Sequence, residues 1–582
     1  MSATRTEPGR GSALAHDRRR WLGLVVISIA VALIIVDSTI VNVAIPSVVD
    51  ELDITSTQVQ WVQESYTLVF ASLLLVFGTL ADRFGRRRVL LIGVTLFAAS
   101  SVAAALAPSG ELLIAARVVQ GFGGAMILPA SLSLLNASFT GRERGIAFAV
   151  WGSTIGGMAA VGPLLGGWLT TDFSWRWAFG INLPLGILIV IGALLVVRES
   201  RADELRRVDV VGAALSVLLF TSLMFALIEG RNYGWWTSEG GAPGFWTLEI
   251  SPIPFAFALA ALALAAFVAW GVQRERRGLP TMIAFPLFRV ASFRNGNIAA
   301  LVVSLGEFGI ILSLPLWLQN VLGYDALQTG FLLLALAGGA FVASGAAAGT
   351  SGRVPAVWVV RVGILAEIVG LVIVGLVIAV DTPWWQTAAG LLVYGFGVGL
   401  ATAQLTGVVL AEVPVAQSGQ ASGTQSTSRQ VGSALGIAIL GTVLFTSLAS
   451  QLDDRLPDQL TGELRQEVVD LVVDSAGSAI PALEERSPEA ADAARAAFSE
   501  ATRASAFTAA GFLAVGLLAT ISLGAGRRRE DADADAAGDA QADDAAPDGA
   551  VSDGTASDGT ASGGTEPGGA EPAGTASDGT ER

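Results

Sequence analysis

Three ionisable residues lie inside strongly apolar stretches of this chain, where an acid and an arginine together can bind and release a proton. Asp37 lies late in the first apolar stretch, Glu64 early in the second and Arg117 early in the fourth. Counted at about 1.5 Å per residue, all three lie in the same half of a membrane-spanning bundle. An unpaired carboxylate in such a helix is costly, and an acid and an arginine at similar depth can exchange partners on protonation. The three residues therefore predict proton coupling, with a static buried ion pair as the alternative.

Two more acids, Glu307 and Glu367, lie near the middle of later apolar stretches. Neither has an obvious local partner, although Arg361 precedes Glu367 on the same stretch. Acids at this depth are candidates for binding a proton or a cationic substrate. Aromatic side chains at similar depths are candidates for lining an apolar substrate cavity, although most aromatics in membrane helices pack or lie at interfaces: Tyr66, Phe308 and Trp317.

A charged turn bounded by glycines separates the second and third apolar stretches, between Gly78 and Arg88. Its glycines, Gly78 and Gly85, permit close backbone approach and unusual dihedral angles. Asp82 can pair with an arginine or cap a helix start. The arginines hold the turn at the cytoplasmic surface. We interpret the turn as a conformational latch, with a simple topology anchor as the alternative; its candidate gating residues are Gly78, Asp82, Arg83, Gly85 and Arg86.

The fifth apolar stretch is rich in glycine and contains a proline. Gly162 and Gly166 are four residues apart and therefore share one helix face. Pro163 removes a backbone hydrogen bond and bends the helix. The three residues predict a tightly packed seam that also helps the protein open and close.

These residues are positioned by fourteen apolar stretches, each long enough to cross a bilayer as a helix. The 582-residue chain is 52% hydrophobic and only 15% charged, whereas a soluble protein carries roughly a quarter charged residues. The predicted spans are 21–45, 60–80, 89–107, 111–135, 146–170, 178–197, 209–228, 252–272, 297–319, 327–349, 357–380, 385–411, 430–449 and 504–524.

The spans group as six, two and six. We expect a cytoplasmic N-terminal arm at 1–20, a six-helix bundle at 21–198, two added helices with their loops at 199–295, and a second six-helix bundle at 296–524. The second bundle includes an extracellular insert, 451–503, with an amphipathic helix near 464–474. Arginines concentrate in the loops after the second, fourth, sixth and eighth spans, which places both termini in the cytoplasm. A faint counterpart of the charged turn follows the tenth span, as internal repeats in transporters would predict.

The formal charge of −15 is concentrated at the C-terminal end of the chain. Residues 530–582 hold 14 acids and one arginine. Such a composition cannot form a core, so we expect a disordered acidic tail over 525–582. The charge therefore does not indicate a basic partner or nucleic acid.

Soluble catalysis has no support in the sequence, and no cofactor or metal is expected. The chain has no cysteine and one histidine, His16, which excludes thiolate sites and histidine-based triads. It contains neither a phosphate-binding P-loop nor a Gly-x-Ser-x-Gly elbow. We expect a protein that is not an enzyme and is driven by an ion gradient rather than by ATP.

The motifs together resemble the major facilitator superfamily. The Gly78–Arg88 turn resembles its loop motif after the second helix, and the glycine- and proline-rich fifth span resembles its antiporter motif. Fourteen spans, the sequence from Asp37 to Pro46 and the segment 175–184 narrow the resemblance to the fourteen-helix drug:proton antiporters of the EmrB/QacA type. The resemblance covers about residues 21–449 plus the last span. Its second half departs from the pattern, because the later loop motif is degraded.

This resemblance implies an all-helical exporter in the plasma membrane, with small-molecule substrates, protons and the lipid bilayer as its partners. Hydrophobic drugs or secondary metabolites, some of them cationic, would leave as protons enter. By resemblance, Asp37 and Arg117 serve coupling, and Gly162 and Pro163 serve antiport. The alternatives are a dedicated exporter of one metabolite, peptide or lipid, and a non-transporting receptor or scaffold. Substrate identity and oligomeric state are not predicted.

Overall fold

The computed structural model describes residues 10–201, 208–238, 246–350, 353–457, 460 and 462–521. Within these ranges the chain is almost entirely α-helical, and Thr237 and Ile250 form an isolated antiparallel bridge. The predicted acidic tail over 525–582 lies outside the described residues, as do residues 1–9 of the predicted N-terminal arm. The remainder of that arm is helical, because the first helix begins at Arg10.

The first half of the chain forms seven helices. They are α1 (Arg10–Leu52), α2 (Ser56–Phe84), α3 (Arg86–Ala105), α4 (Gly110–Ser138), α5 (Gly141–Asp172), the short α6 (Arg176–Gly180) and α7 (Asn182–Val196). Two further helices follow, α8 (Val210–Glu229) and α9 (Pro252–Arg276), which pack against each other. The helix α8 also packs on α2. It also contacts the helix Ser418–Arg455 of the second half, so α8 lies against both halves.

The second half contains eight helices. They are α10 (Ala291–Asn320), α11 (Ala326–Thr350), α12 (Ala356–Val377), α13 (Trp384–Val409), α14 (Ser418–Arg455), α15 (Glu463–Asp474), α16 (Ile480–Arg486) and α17 (Pro488–Ala519). A 3₁₀ turn, Phe285–Arg289, leads into α10. The amphipathic helix expected near 464–474 is confirmed as α15.

The helices have the length and composition of membrane spans. Among the described residues, 13 helical segments are long and apolar enough to cross a bilayer, and one bent pair raises the number to as many as 14. That pair, Gly141–Met158 and Val161–Asp172, makes up α5 and is bent by 42°. The bend adjoins Pro163, whose backbone nitrogen has no hydrogen to donate to the preceding turn of the helix. The predicted all-helical fold with fourteen spans therefore agrees with the observed architecture.

The insert at 451–503 is not, as the sequence predicts, fully separate from the two spans that flank it. The span before it continues as α14 to Arg455, and the last span begins with α17 at Pro488, well before the predicted start at 504. Much of this insert is thus a helical extension of the two flanking spans. Ser487 caps the start of α17 through the backbone N–H of Ala490, which explains why the helix starts there.

Candidate functional site

The predicted acid and arginine of the first half form a buried ion pair. Asp37 of α1 and Arg117 of α4 are 0% and 1% exposed, and Arg117 Nη1 lies 2.5 Å from Asp37 Oδ2. Arg117 Nε also donates to the carbonyl of Val62 on α2 at 3.1 Å. The arginine therefore holds α1, α2 and α4 together through one side chain.

A polar network completes the coordination of Asp37. Asp37 Oδ1 accepts from Asn182 Nδ2 at 2.7 Å and from Gln120 Nε2 at 3.2 Å. Both donors also reach Ser101 Oγ, at 3.1 Å and 2.6 Å. Both oxygens of Asp37 are thus satisfied, and all of these side chains are buried. A fully connected network of this kind stabilises an ionised carboxylate in an apolar interior.

Asn182 lies in the sixth span, which α6 and α7 form together. The two helices meet at Ile181, whose backbone stays in the right-handed helical region, and Asn182 is the first residue of α7. From this position Asn182 donates to Asp37, while Arg176 at the start of α6 binds the carbonyls of Ala105 and Ala107. The motif that carried part of the family resemblance therefore also supplies a ligand of the central acid.

One predicted cavity aromatic, Tyr66, lies directly against this pair. The Arg117 guanidinium lies 4.4 Å from the Tyr66 ring centroid, and the ring stacks on Phe70 at 5.7 Å. The Tyr66 hydroxyl is buried without a hydrogen-bond partner among the described residues. A cation over an aromatic face is an attractive contact. Tyr66 therefore contacts the ion pair itself.

Glu64 does not join the Asp37 network and instead meets an acid from the two added helices. The carboxyl group of Glu64 lies near that of Glu229, which is 2% exposed at the end of α8. Asn232 donates to Glu229 Oε2 at 3.0 Å. In the adjoining loop, burial and then the Glu229 and Glu64 carboxyls raise the pKa of Tyr233 to about 12. Glu64 Oε2 has no hydrogen-bond partner among the described residues, and two ionised carboxyls this close would repel each other.

The buried acid Glu307 of the second half has a complete set of partners. Its Oε2 lies 3.2 Å from Arg429 Nη2 of α14, and its Oε1 accepts from Thr402 Oγ1 at 2.9 Å. The Tyr394 hydroxyl donates to the Glu307 backbone carbonyl at 3.0 Å. Three helices, α10, α13 and α14, therefore converge on this acid.

Glu367 differs from Glu307 in having no such partners. It is 0% exposed, and neither carboxyl oxygen has a hydrogen-bond partner among the described residues. Arg361, the nearby arginine in the sequence, instead donates to the carbonyl of Thr520 at 3.0 Å. Of the remaining predicted aromatics, Phe308 is half-buried beside Glu307, and Trp317 is fully buried with its indole N–H 3.1 Å from Ser499 Oγ.

The charged turn joins the two halves of the protein. Asp82 accepts hydrogen bonds from the backbone N–H groups of Gly419 and Gln420, at 2.8 Å and 3.0 Å, at the start of α14. A helix start attracts a carboxylate because its first N–H groups are unpaired and its dipole is positive there. A Cβ at Gly78 would lie 2.5 Å from the Gly419 carbonyl, so α2 and α14 approach closely only because position 78 is glycine.

Arginine and glutamate side chains brace the same turn. Arg86 is fully buried; it binds Asp82 Oδ1 through Nη2 at 2.7 Å, Ser200 Oγ through Nη1 at 2.8 Å and the Val415 carbonyl. Gly85 has a φ of +105° and faces the Glu199 carboxylate, where a Cβ would clash. In contrast, Arg83 lies over the ring of the neighbouring exposed residue, Phe84, at 5.3 Å. The turn is therefore joined to the start of α14 and the residues before it through Asp82 and Arg86.

The glycines of α5 face α1 just beyond Asp37. A Cβ at Gly162 would lie 1.8 Å from Thr39 Oγ1, and one at Gly166 would lie 2.9 Å from Ile40 Cγ1. Any larger side chain would push α5 away from the helix that carries Asp37. The seam and the bend at Pro163 are thus built next to the ion pair.

Helical spans in two related halves, buried acids paired with arginines, and a charged turn at the junction define a polytopic membrane protein of the transporter class. The family model described as Major Facilitator Superfamily matches residues 27–437, and this chain belongs to that superfamily. The family resemblance noted in the motifs is confirmed.

Several proteins similar to this chain have names that describe transport or efflux. The chain is 34% identical to the "Probable actinorhodin transporter" of Streptomyces coelicolor, over 71% of this chain and 70% of that protein. It is 32% identical to the "Multidrug efflux pump LfrA" of Mycolicibacterium smegmatis, over 73% and 81%. Among solved structures, the human organic anion transporter MFSD10 aligns with a TM-score of 0.55 at 13% identity, over 86% of this chain and 99% of that one. That likeness concerns the fold alone.

Sequence reasoning identified the buried acids but missed most of their partners. Single polar residues in apolar helices have no signature that assigns them to one acid, and Gln120, Thr402 and Arg429 therefore passed unnoticed. Asn182 lay in a motif that was used only for the family resemblance. Glu229, the last residue of an apolar stretch, carried a detectable signal, because an acid at a helix C-terminus is unfavourable.

Proposed function

We propose that this protein is a proton-coupled antiporter that exports hydrophobic small molecules, including cationic drugs and secondary metabolites, by alternating access. The single observation that carries the proposal is the Asp37–Arg117 pair, fully buried in the first bundle and hydrogen-bonded throughout. The printed names of the relatives support drug export as the direction of transport. We place the protein in the plasma membrane with both termini in the cytoplasm, as its arginine distribution indicates.

Asp37 is the proposed coupling acid because a change in its charge changes what Arg117 binds. When Asp37 is ionised, Arg117 is held by it and by the Val62 carbonyl. Protonation removes the charge that attracts the guanidinium, which then interacts mainly with Gln120 and the Tyr66 ring. Because Arg117 contacts α1, α2 and α4, this change reaches three helices at once. Glu64, Glu307 and Glu367 are proposed as further proton-binding groups.

Opening and closing is proposed to occur at the turn and at the α5 seam. The contacts of Asp82 with α14 hold the predicted cytoplasmic end closed, and Gly162, Pro163 and Gly166 allow α5 to move against α1. Bundles that rock about a central site would break the first set of contacts and slide the second. The aromatics Tyr66, Phe308 and Trp317 are proposed to line the substrate path in at least one of these states.

The test is transport by the purified protein in proteoliposomes with an imposed pH gradient, over a broad panel of hydrophobic compounds. We expect gradient-dependent flux of several compounds, and flux of only one would identify a dedicated exporter. Asp37→Asn should abolish the response to the gradient while the protein remains folded. Asp381→Asn, which changes an exposed loop carboxylate, is the matched control and should transport normally. Unchanged gradient-driven flux in Asp37→Asn would remove Asp37 from the mechanism.

A further inference from the structure

Two unpaired groups of opposite type lie in the second bundle. Glu367 is completely buried with both carboxyl oxygens unpaired, and Arg429 Nη1 is a buried donor that also lacks a partner among the described residues. The other terminal nitrogen of the same arginine, Nη2, binds Glu307. Glu367 packs against Gly397 of α13. The same helix supplies Thr402 to Glu307, the partner of Arg429. An unused donor and two unused acceptors thus lie around one helix.

The residues packed around Glu367 offer its carboxyl group few other partners. A Cβ at Gly397 would lie 2.7 Å from Glu367 Cγ, so α13 closes tightly over this side chain. On α17, which also packs against α12, Arg503 is engaged by the carbonyls of Gly375 and Ile378 and by Glu500. Arg361, on α12 itself, is held by Thr520. In the part of the chain that the structure describes, Arg429 is therefore the cation available to Glu367.

The charges of Glu307, Glu367 and Arg429 balance only if Glu367 carries a proton. One arginine neutralises one carboxylate, and Glu307 already holds Arg429 and Thr402. A second carboxylate, buried and without hydrogen bonds, is strongly disfavoured in an apolar interior, whereas the neutral acid is tolerated. The arrangement is that of two acids sharing one arginine and one proton.

We propose that Glu367 is a second proton-binding site and that Arg429, while held by Glu307, also binds Glu367 when this proton leaves. The inference rests on the proposed antiport function and adds to it a residue, Arg429, that links the two acids. On release, the O–H bond of Glu367 breaks and the proton passes to water. The carboxylate that forms accepts from Arg429 Nη1, while Arg429 Nη2 and Thr402 Oγ1 stay on Glu307, so the arginine bridges both acids. Rebinding of the proton reverses these steps and leaves the guanidinium on Glu307 alone.

The test uses infrared difference spectroscopy of the full-length protein in lipid nanodiscs, which detects the C=O stretch of protonated carboxyls without any substrate. At neutral pH the wild-type spectrum should contain a protonated-carboxyl band that is lost in Glu367→Gln and that shifts in frequency in Glu367→Asp. The second variant keeps the test decisive if the first does not fold. The control Glu412→Gln, which removes an exposed carboxylate, should leave the band unchanged.

The variant Arg429→Gln tests whether Arg429 acts on the charge of Glu307. If Arg429 served only in packing, its replacement would not change the carboxyl bands. Without its cation, Glu307 should also become protonated, and a second carboxyl band should appear that is lost again in the double variant Glu307→Gln/Arg429→Gln. A protonated-carboxyl spectrum of Glu367→Gln that is identical to that of the wild type, or no new band in Arg429→Gln, would overturn the proposal.

Transport separates this inference from the proposed function. In proteoliposomes, Glu367→Gln should move fewer protons per substrate than the wild type while keeping flux that depends on Asp37. If the Glu367 band is present but no variant or wild-type protein responds to a pH gradient, the antiport function fails and the protonated site stands. If wild-type transport is gradient-driven and Glu367→Gln neither loses the band nor changes the proton count, only the second site fails.

Discussion

In the first bundle the buried acid Asp37 has both oxygens hydrogen-bonded, whereas in the second bundle Glu367 has neither. Both acids are 0% exposed and lie near an arginine, so burial alone does not distinguish them. The two acids differ in the number of hydrogen-bond donors that contact them. Arg117, Gln120 and Asn182 converge on Asp37. In the second bundle, by contrast, Arg429 Nη2 and Thr402 Oγ1 bind Glu307, and no donor among the described residues binds Glu367.

This difference indicates different protonation states in the same conformation. A fully paired acid is stable with its negative charge, and an unpaired one is stable only as the neutral acid. The comparison therefore predicts that substitutions in the two bundles have opposite effects on stability.

The largest effect is expected from removing the cation of the first bundle. Arg117→Met leaves Asp37 buried without its counter-charge, and breaking a buried pair in this way costs about 3–5 kcal/mol. Thermal unfolding in detergent, followed by tryptophan fluorescence, should show the loss. The double variant Asp37→Asn/Arg117→Met removes both charges and should recover much of it. If the double variant is as unstable as the single one, the loss comes from packing and not from an unpaired charge.

A smaller loss is expected from the network around the pair. Asn182→Ala removes one of the donors to the Asp37 carboxylate, and hydrogen bonds to charged groups contribute about 1.5–3 kcal/mol. Asn320→Ala is the matched control, because Asn320 donates to a neutral backbone carbonyl, that of Ala476. It should lose only about 0.5–1.5 kcal/mol in the same unfolding measurement. Equal losses would mean that Asp37 does not carry its full charge.

In the second bundle, replacing the buried acid is expected to leave stability unchanged or to raise it. Glu367→Met replaces a buried carboxyl without partners by an apolar side chain of similar length, so stability should be unchanged or rise by about 1 kcal/mol. The same unfolding measurement gives the answer, with Glu412→Met as a control for the substitution on an exposed site. A loss comparable to that of Arg117→Met would show that Glu367 has partners like those of Asp37, and the contrast between the bundles would disappear.

The contrast itself was not predictable from the sequence, although its acids were. Long apolar runs fix the helices, and a charge inside such a run is conspicuous, which is why Asp37, Arg117, Glu307 and Glu367 stood out. Which acid meets which donor depends on helix rotation and on close approaches between distant segments. Glu307 and Arg429 are 122 positions apart, and Glu64 meets Glu229 only because α8 packs on α2. Periodicity constrains neither relation.

The smallest effect is expected at a partly exposed acid outside the membrane spans, which provides a reference for both buried sites. Glu51 accepts from Arg176 Nη2 at 2.8 Å and from Trp175 Nε1 at 2.6 Å, and the hydrogen bond from Arg176 holds the pKa of Glu51 below its usual value. A lowered pKa in the folded state adds stability above the unfolded-state pKa, and this contribution is lost as the pH falls through the folded-state pKa.

Glu51→Gln should therefore reduce stability at neutral pH by well under about 1 kcal/mol, because exposed pairs are screened by solvent. Between neutral and acidic pH, the unfolding temperature of Glu51→Gln should also fall by less than that of the wild type. The unfolding temperature of Asp381→Asn should fall by as much as that of the wild type. Parallel pH profiles for Glu51→Gln and the wild type would show that the contact with Arg176 does not persist in solution. An effect as large as that of Arg117→Met would mean that burial does not set the scale of these ion pairs, because Glu51 is exposed and Asp37 is not.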